Sequence, residues 1–309
     1  MENLNNDNRL SVLLTSRDRP ILTQKCIESI HKTSKLFKEV NIYVFDNLSN
    51  PDEKRLGLFS KLLKEEKIKY YSYDTPISLC DCFGKAIAYN RWINMMKTEH
   101  DIREVTKTNS LKDYYILIDN DMILGPDWDK FFITANDELL SREPDIHFMV
   151  KYPGGLTERN INKPSSNKYK LTTPNNIEFD VVCTNWGGGS GFWFMNYEQL
   201  LKTKWETELF SNVYKRFKRH DTISWSRINN KSKNIINYVA GIKPPDDNPL
   251  VLHIGGVLNC SMCNVLTKQG PSEYKKVKSN FIIKELALAN MSSLDIYNKY
   301  KSFKTATDW

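Results

Sequence analysis

The sequence predicts an α/β fold with a mostly parallel central sheet flanked by helices. Two observations carry this. Strand-like and helix-like segments alternate through the first 118 residues, and no hairpin turn signal separates the strands. Two of the strands, Leu10–Thr15 (LSVLLT) and Tyr114–Ile118 (YYILI), are almost wholly apolar, as strands covered on both faces are.

Taken in order, Leu10–Thr15 is the first strand. Pro20 then stands where a helix begins, and Ile21–His31 continues with helical spacing. Val40–Phe45 is the second strand, ending at Asp46-Asn47. Pro51–Glu66 carries Leu56, Leu58, Phe59, Leu62 and Leu63 in a helical pattern, Ile68–Tyr73 is a short third strand, and Phe83–Met96 is a helix before the strand at Tyr114–Ile118. The second half changes character. Residues 153–176 are polar and rich in Gly, Pro, Ser and Asn, which predicts a long loop or lid. Apolar runs follow at Val181–Thr184 and Gly191–Met195, and helices are expected at Tyr197–Lys204, Thr207–Lys218 and Ser272–Ala289. With no linker in view, we expect one domain over 1–309. Its parts are a nucleotide-binding half at about 9–150, a catalytic half at about 151–260 and a helical extension at about 261–309.

Composition narrows the class. Hydrophobic residues make up 40% and charged residues 26%, the balance of a globular enzyme rather than a disordered or fibrous chain. No run of roughly 18 apolar residues suggests a transmembrane helix. The start, MENLNNDNRL, lacks the pattern of a secretory signal, so a cytoplasmic location is expected, in a bacterium or a phage-infected host cell. Reduced thiols go with that location, so Cys26, Cys80, Cys82, Cys183, Cys260 and Cys263 are not expected to form a disulfide framework. Cys80, Cys82, Cys260 and Cys263 could together hold zinc, or be small buried residues at chance spacing. The net charge of +7 is uneven: residues 151–309 carry +10 and residues 1–150 carry −3. Lys215, Arg216, Lys218 and Arg219 form one basic cluster, which suits an anionic partner or a solvated helix face.

The chemistry-bearing residues fall just past the strands, where open α/β sheets bind ligands. Asp119-Asn120-Asp121 follows the strand at 114–118. On an extended backbone the side chains of Asp119 and Asp121 point the same way. Two aligned carboxylates can hold a hard divalent cation such as Mn²⁺ or Mg²⁺. Such an ion can bridge the two phosphates of a sugar nucleotide and neutralise the departing diphosphate. Thr15, Ser16 and Arg17 follow the first strand, and Asp46 follows the second, placed to accept from a nucleobase N–H. The segment from Gly84 to Arg91 includes Asn90, and the segment from His220 to Arg227 includes Asp221. The run Asn185 to Trp193 mixes Gly188 and Gly189 with the aromatic faces of Trp186 and Trp193, suited to a sugar or base, or equally to a glycine turn beside core aromatics.

Together these residues resemble family 2 of the inverting glycosyltransferases, whose GT-A fold is Rossmann-like. The resemblance runs over about residues 9–230. It rests on SVLLTSRDRPILTQKCIESI, on Asp46 with Ser49, on Gly84 with Ala88-Tyr89-Asn90, on Asp119 and Asp121, and on Asp221 followed by Arg227. Tyr89 stands where the family has Arg, and His220 where it has Glu, which marks a divergent branch whose acceptor cannot be taken from the family. The resemblance implies that Asp46 binds the base and that Asp119 binds ribose or sugar. Asp121 would bind the metal, with Asp119 beside it, and Asp221 would be the catalytic base. Thr15, Ser16, Arg17, Asn90, Asn120, Gly188 and Gly189 would complete a site for a nucleoside-diphosphate sugar, a UDP-sugar by preference. Trp186, Trp193, His220 and Arg219 would face the acceptor. His253 closes the apolar run Val251–His253 before Gly255-Gly256. It is either a further metal ligand, as in several GT-A enzymes, or a half-buried histidine held by a hydrogen bond; the glycines would let backbone approach phosphate.

Other readings are weaker. A nucleotidyltransferase would show an early glycine-rich phosphate loop, and Thr15-Ser16-Arg17-Asp18-Arg19 has no glycine. A catalytically inactive module that only binds glycan or nucleic acid would not need Asp119, Asp121 and Asp221. The acceptor is either a saccharide hydroxyl or a hydroxymethylated base in DNA, as in phage-type base-glycosylating enzymes of GT-A fold. The +10 second half keeps DNA in view.

Overall fold

The computed structural model describes residues 7–16, 19–47, 60–65, 67–73, 80–108, 110–151, 166–186, 191–202, 237–246, 248–257 and 283–303. Nine strands form one sheet: β1 (Asn8–Ser16), β2 (Glu39–Asn47), β3 (Lys69–Tyr73), β4 (Lys112–Asp119), β6 (Phe148–Lys151), β7 (Asn167–Thr172), β8 (Glu178–Trp186), β9 (Phe192–Asn196) and β10 (Asn237–Lys243). Their order across the sheet is β3-β2-β1-β4-β9-β6-β10-β8-β7. A second, two-stranded sheet pairs β5 (Met122–Leu124) with β11 (Val251–His253). The helices include α1 (Pro20–Thr33), α2 (Cys80–Val105), α3 (Trp128–Leu139), α4 (Tyr197–Lys202), α5 (Ile254–Val257) and α6 (Ser293–Tyr300), and residues 60–64, within the helix expected at 51–66, are helical as well.

The α/β class expected from the sequence is the one observed. Parallel pairing joins β3, β2, β1 and β4, where the sequence alternates strand and helix. Beyond β4 the pairing is antiparallel except between β6 and β10. The apolar runs of β1 and β4 are buried on both faces because helices cover both sides. Leu10, Val12, Leu14, Ile116 and Ile118 face a core shared with Cys26, Ile27 and Ile30 of α1 and Trp128 and Phe132 of α3. Leu13, Tyr115 and Leu117 face the other way, onto Ala88, Tyr89, Trp92, Ile93 and Met96 of α2. This is period-two alternation serving two cores at once.

Several elements differ from expectation. The helix expected at 83–96 runs on to Val105, through a polar, exposed final stretch. The polar segment expected as a loop to 176 contains β7, an edge strand that exposes Lys168 and Lys170 and buries Leu171. Charged edge residues discourage further strand pairing, and they also hide a strand from its composition. The short strand β5 lies between turns, β11 runs directly into α5, and α3 and α6 carried no expectation. Residues 283–286 are helical, but the chain turns at 287–290 instead of continuing a helix to 289. The helix expected at 207–218 lies outside the described residues.

A third cluster positions the site. Leu22 of α1, Ile123 of β5, Leu252 of β11, Ile254, Leu288, and Ile296 and Tyr297 of α6 pack together. The C-terminal segment thus clamps the small sheet onto α1. Tyr297 Oη donates to the Pro249 carbonyl at 3.0 Å, and its ring lies where a Cβ on Gly125 would fall, 2.6 Å away. A capping box between Ser292 and Asp295 starts α6.

Candidate functional site

The parallel register gathers the candidates at one end of the sheet. Thr15 lies opposite both Phe45 and Asp119, and Ser16 lies opposite Asp46. Asp46 in turn pairs with Ser72. Pro20 at the first turn of α1 disfavours helical backbone at the residue before it. Arg19 is accordingly non-helical (φ −135°, ψ 65°), and the helix starts directly above the carboxyl end of β1. Thr23, one turn in, donates its hydroxyl to the Arg19 carbonyl at 2.7 Å. The same oxygen accepts from Asn120 Nδ2 at 3.0 Å and lies 3.1 Å from Ser16 Oγ. The strand-to-helix turn and the Asp119–Asp121 segment are thereby stitched together.

Asp119 ends β4, and the backbone leaves the strand at Asn120. The alternation that would align the two carboxylates on one extended strand therefore stops before Asp121. Asp121 is fixed differently. The β5–β11 ladder sets His253 opposite Met122, and Ile254 N donates to the Asp121 carbonyl at 2.9 Å. His253 Nε2 comes to 3.3 Å from Asp121 Oδ2 across 132 residues of chain. Gly255 lies against the same carboxylate: a Cβ there would fall 2.1 Å from Asp121 Oδ2. The glycine expected to admit a phosphate makes room for the aspartate.

Two residues join this group that sequence reasoning did not single out. Arg19 donates Nη1 to Asp121 Oδ2 at 2.9 Å and Nε to Glu285 Oε1 at 2.8 Å. The side chains of Arg19, Asp121 and Glu285 are all at least nine-tenths buried, and that of His253 is 16% exposed. Burial pushes the Glu285 carboxyl above its usual range, and Arg19 offsets only part of that rise. Burial also raises the Cys26 thiol well above normal, with Asp121 and Asp119 adding to it. Arg19 carried a local signal, since it is the last residue before Pro20. Glu285 carried none, being 266 positions away from its partner.

The remaining candidates fall into three groups. Asp46 is fully buried and accepts from Tyr70 Oη at 3.0 Å, so in this structure it is closed off from solvent. Thr15 is 6% exposed, and its buried hydroxyl has no hydrogen-bond partner among the described residues. Asn90 is half-buried on α2, beside the fully buried Tyr89. Trp193 contradicts its expected role: it is fully buried, stacked on Phe148 and edge-on to Tyr89, because β9 lies inside the sheet. It is a core residue and offers no face to an acceptor. Trp186 ends β8, and only its backbone is described. Arg17, Gly188, Gly189, Lys215, Arg216, Lys218, Arg219, His220 and Asp221 lie outside the described residues. So do Cys260 and Cys263. Cys26 and Cys183 are buried free thiols.

A divalent ion is the group the Asp-x-Asp implies, and the Asp121–His253 pair fits one. Adjacent ligands about 2.1 Å from an octahedral ion stand roughly 3 Å apart, and the pair stands at 3.3 Å. The carboxylate suits Mg²⁺ or Mn²⁺, and the imidazole suits the first-row transition metals from iron onward. Among the described residues no group of three or more His, Cys, Asp or Glu gathers to hold a metal. Asp121 and His253 are the described residues that would hold an ion; here they are within hydrogen-bond distance of each other, which is the other expectation for His253.

No family model matches the sequence, and no curated protein does. Solved structures resemble the fold at low identity. S. aureus TarS is 11% identical, with 91% of this chain and 44% of that chain covered and a TM-score of 0.40. The mannosyltransferase PcManGT from Pyrobaculum calidifontis, in complex with GDP-Man and Mn²⁺, is 10% identical, with 94% and 73% covered and a TM-score of 0.38. The galactosyltransferase LgtC, in complex with donor and acceptor sugar analogues, is 9% identical, with 69% and 68% covered and a TM-score of 0.31. This chain spans less than half the length of the TarS chain. Among the described residues no helix is long and apolar enough to cross a membrane.

Proposed function

We propose that this chain is a metal-dependent glycosyltransferase that moves a sugar from a nucleoside diphosphate to an acceptor hydroxyl with inversion. The observation that carries the reading is the meeting of His253 with Asp121 at the carboxyl end of the parallel strands, 3.3 Å apart. A bound divalent ion would neutralise charge on the departing diphosphate. Asp121 and His253 would hold that ion. Thr15, which lies opposite Asp119 in the register, and Asp119 would orient the donor. Asp46, Asn90 and Ser16 belong to the same donor reading, with Asp46 toward the base. Asp221 is proposed as the base that takes the acceptor proton as its oxygen attacks the anomeric carbon. That assignment rests on its spacing to Arg227 in the sequence.

The test is direct. A panel of UDP-, GDP- and CDP-sugars is incubated with the protein and Mn²⁺, and released nucleotide is measured. Turnover of one donor that stops in EDTA is expected, with an inverted product by NMR; turnover unaffected by EDTA, or a retained configuration, contradicts the reading. Asp221→Asn should keep donor binding and lower turnover by about 10²-fold or more. For the acceptor, the +10 charge of residues 151–309 favours an anionic partner, and hydroxymethylated DNA is the specific proposal. DNA binding should then fall on the order of 10³-fold between 50 and 200 mM salt. No binding and no transfer to DNA at low salt would leave a saccharide acceptor.

A further inference from the structure

Among the described residues, His253 and Arg19 approach Asp121 Oδ2 with opposite consequences for a cation. His253 Nε2, at 3.3 Å, can join it in holding one. Arg19 Nη1, at 2.9 Å, is itself a cation on the same oxygen. Arginine stays protonated and presents its donors in a planar fork. Here the fork is divided between two carboxylates, Asp121 and Glu285, with Arg19 only 4% exposed. Glu285 belongs to the C-terminal segment, which is anchored on α1 and the small sheet through Leu288, Ile296 and Tyr297. Its place relative to Arg19 is thus fixed by packing rather than by the ion pair alone.

This arrangement is informative once charge is counted. A buried carboxylate without a compensating charge is strongly disfavoured, so Asp121 needs a positive partner before any ion arrives. Arg19 supplies it. A divalent ion taken up by Asp121 and His253 then adds positive charge beside a guanidinium that claims the same oxygen. Building on the reading of Asp121 and His253 as the metal-holding pair, we propose that Arg19 is a resident counter-cation that competes with the metal for Asp121. In the same proposal Glu285 is the positioning residue that retains Arg19 when the metal takes over. The metal site is thereby tied to the C-terminal segment through one side chain.

The proposal predicts effects of opposite sign. Arg19→Gln should tighten Mn²⁺ binding about ten-fold, because the competing cation is gone from Asp121 Oδ2. Glu285→Gln should weaken it about ten-fold, because Arg19 loses the carboxylate that draws it away from Asp121. Affinity is read by the loss of free Mn²⁺ signal in electron paramagnetic resonance, which needs no donor or acceptor. Damage to the fold would weaken both variants alike. Each variant also strips a buried charge of its partner, so the wild type provides an independent reading. The Arg19 Nε–Hε resonance, assigned by its disappearance in Arg19→Lys, should shift on titration with diamagnetic Mg²⁺ and saturate with metal binding. If the wild type binds metal but that resonance stays still, or both variants change affinity in the same direction, the competition is overturned and the metal pair stands. If the wild type binds neither ion, the metal pair itself falls, and this proposal with it.

Discussion

Strands β1 and β4 carry a buried ion network at each end, and the two differ in how charge is matched. At the amino ends, Asp113 accepts from Arg9 at 3.0 Å and from Arg103 at 2.7 Å, with His100 Nδ1 at 3.1 Å. Two arginines converge on one carboxylate, and Arg9 also reaches Glu39 at 2.7 Å. At the carboxyl ends the ratio is inverted: one arginine, Arg19, is shared by two carboxylates, Asp121 and Glu285, with His253 alongside. The first network is balanced by the protein's own cations, and its effect is to lock the strand starts. Among the described residues the second holds one arginine against two carboxylates, and it lies where the proposed function puts the donor. The same residue types thus make structure at one end and, under the proposed function, would receive a cation at the other.

The largest expected effect breaks the balanced end. Asp113→Ala leaves two largely buried arginines without their shared partner, and should cost about 3–5 kcal/mol in urea unfolding. The protein that remains folded should still bind Mn²⁺ like the wild type. At the other end, His253→Ala should lower Mn²⁺ affinity on the order of 10- to 100-fold, since a direct ligand should matter at least as much as an outer partner. Its melting temperature should move by only a few degrees, about the shift that 1 kcal/mol produces. If His253→Ala instead destabilises the protein as much as Asp113→Ala and spares metal affinity, the two ends are alike and the contrast fails.

Smaller effects sharpen the same contrast. Gly255→Ala puts a Cβ 2.1 Å from Asp121 Oδ2, so the carboxylate must move. A cost of about 1–3 kcal/mol is expected, as for overpacking elsewhere, together with weaker metal binding. Tyr297→Phe removes the bond to the Pro249 carbonyl and should cost about 1 kcal/mol without changing metal affinity. A Tyr297→Phe change in Mn²⁺ affinity as large as that of His253→Ala would mean the C-terminal clamp is itself part of the ion site.

What could be read from the sequence divides along physical lines. Strands β1 and β4 were legible because both-face burial forces nearly continuous apolar runs, and α1 because Pro20 marks its start. The edge strand β7 was not, since its exposed lysines give it the composition of a loop. Asp119, Asp121 and His253 could be singled out as residue types after apolar runs, and the chain does bring His253 to Asp121. The route was not legible. The sequence suggested alternation on one strand, whereas the structure turns at Asn120 and relies on the β5–β11 ladder. Trp193 was misread because a glycine-aromatic run looks alike in a ligand pocket and in an interior strand. Arg19 and Glu285 show the general limit: a pair formed by tertiary packing leaves no periodicity or spacing to detect.

The central claim is that Asp121 and His253 hold an ion that carries a nucleoside diphosphate. Calorimetric titration of UDP and of GDP into the wild-type protein, once with Mn²⁺ and once with EDTA, tests it most directly. Binding of at least one nucleotide with Mn²⁺, lost in EDTA and lost in Asp121→Ala, is the expected result. Nucleotide affinity that is the same in Mn²⁺, in EDTA and in Asp121→Ala would contradict it.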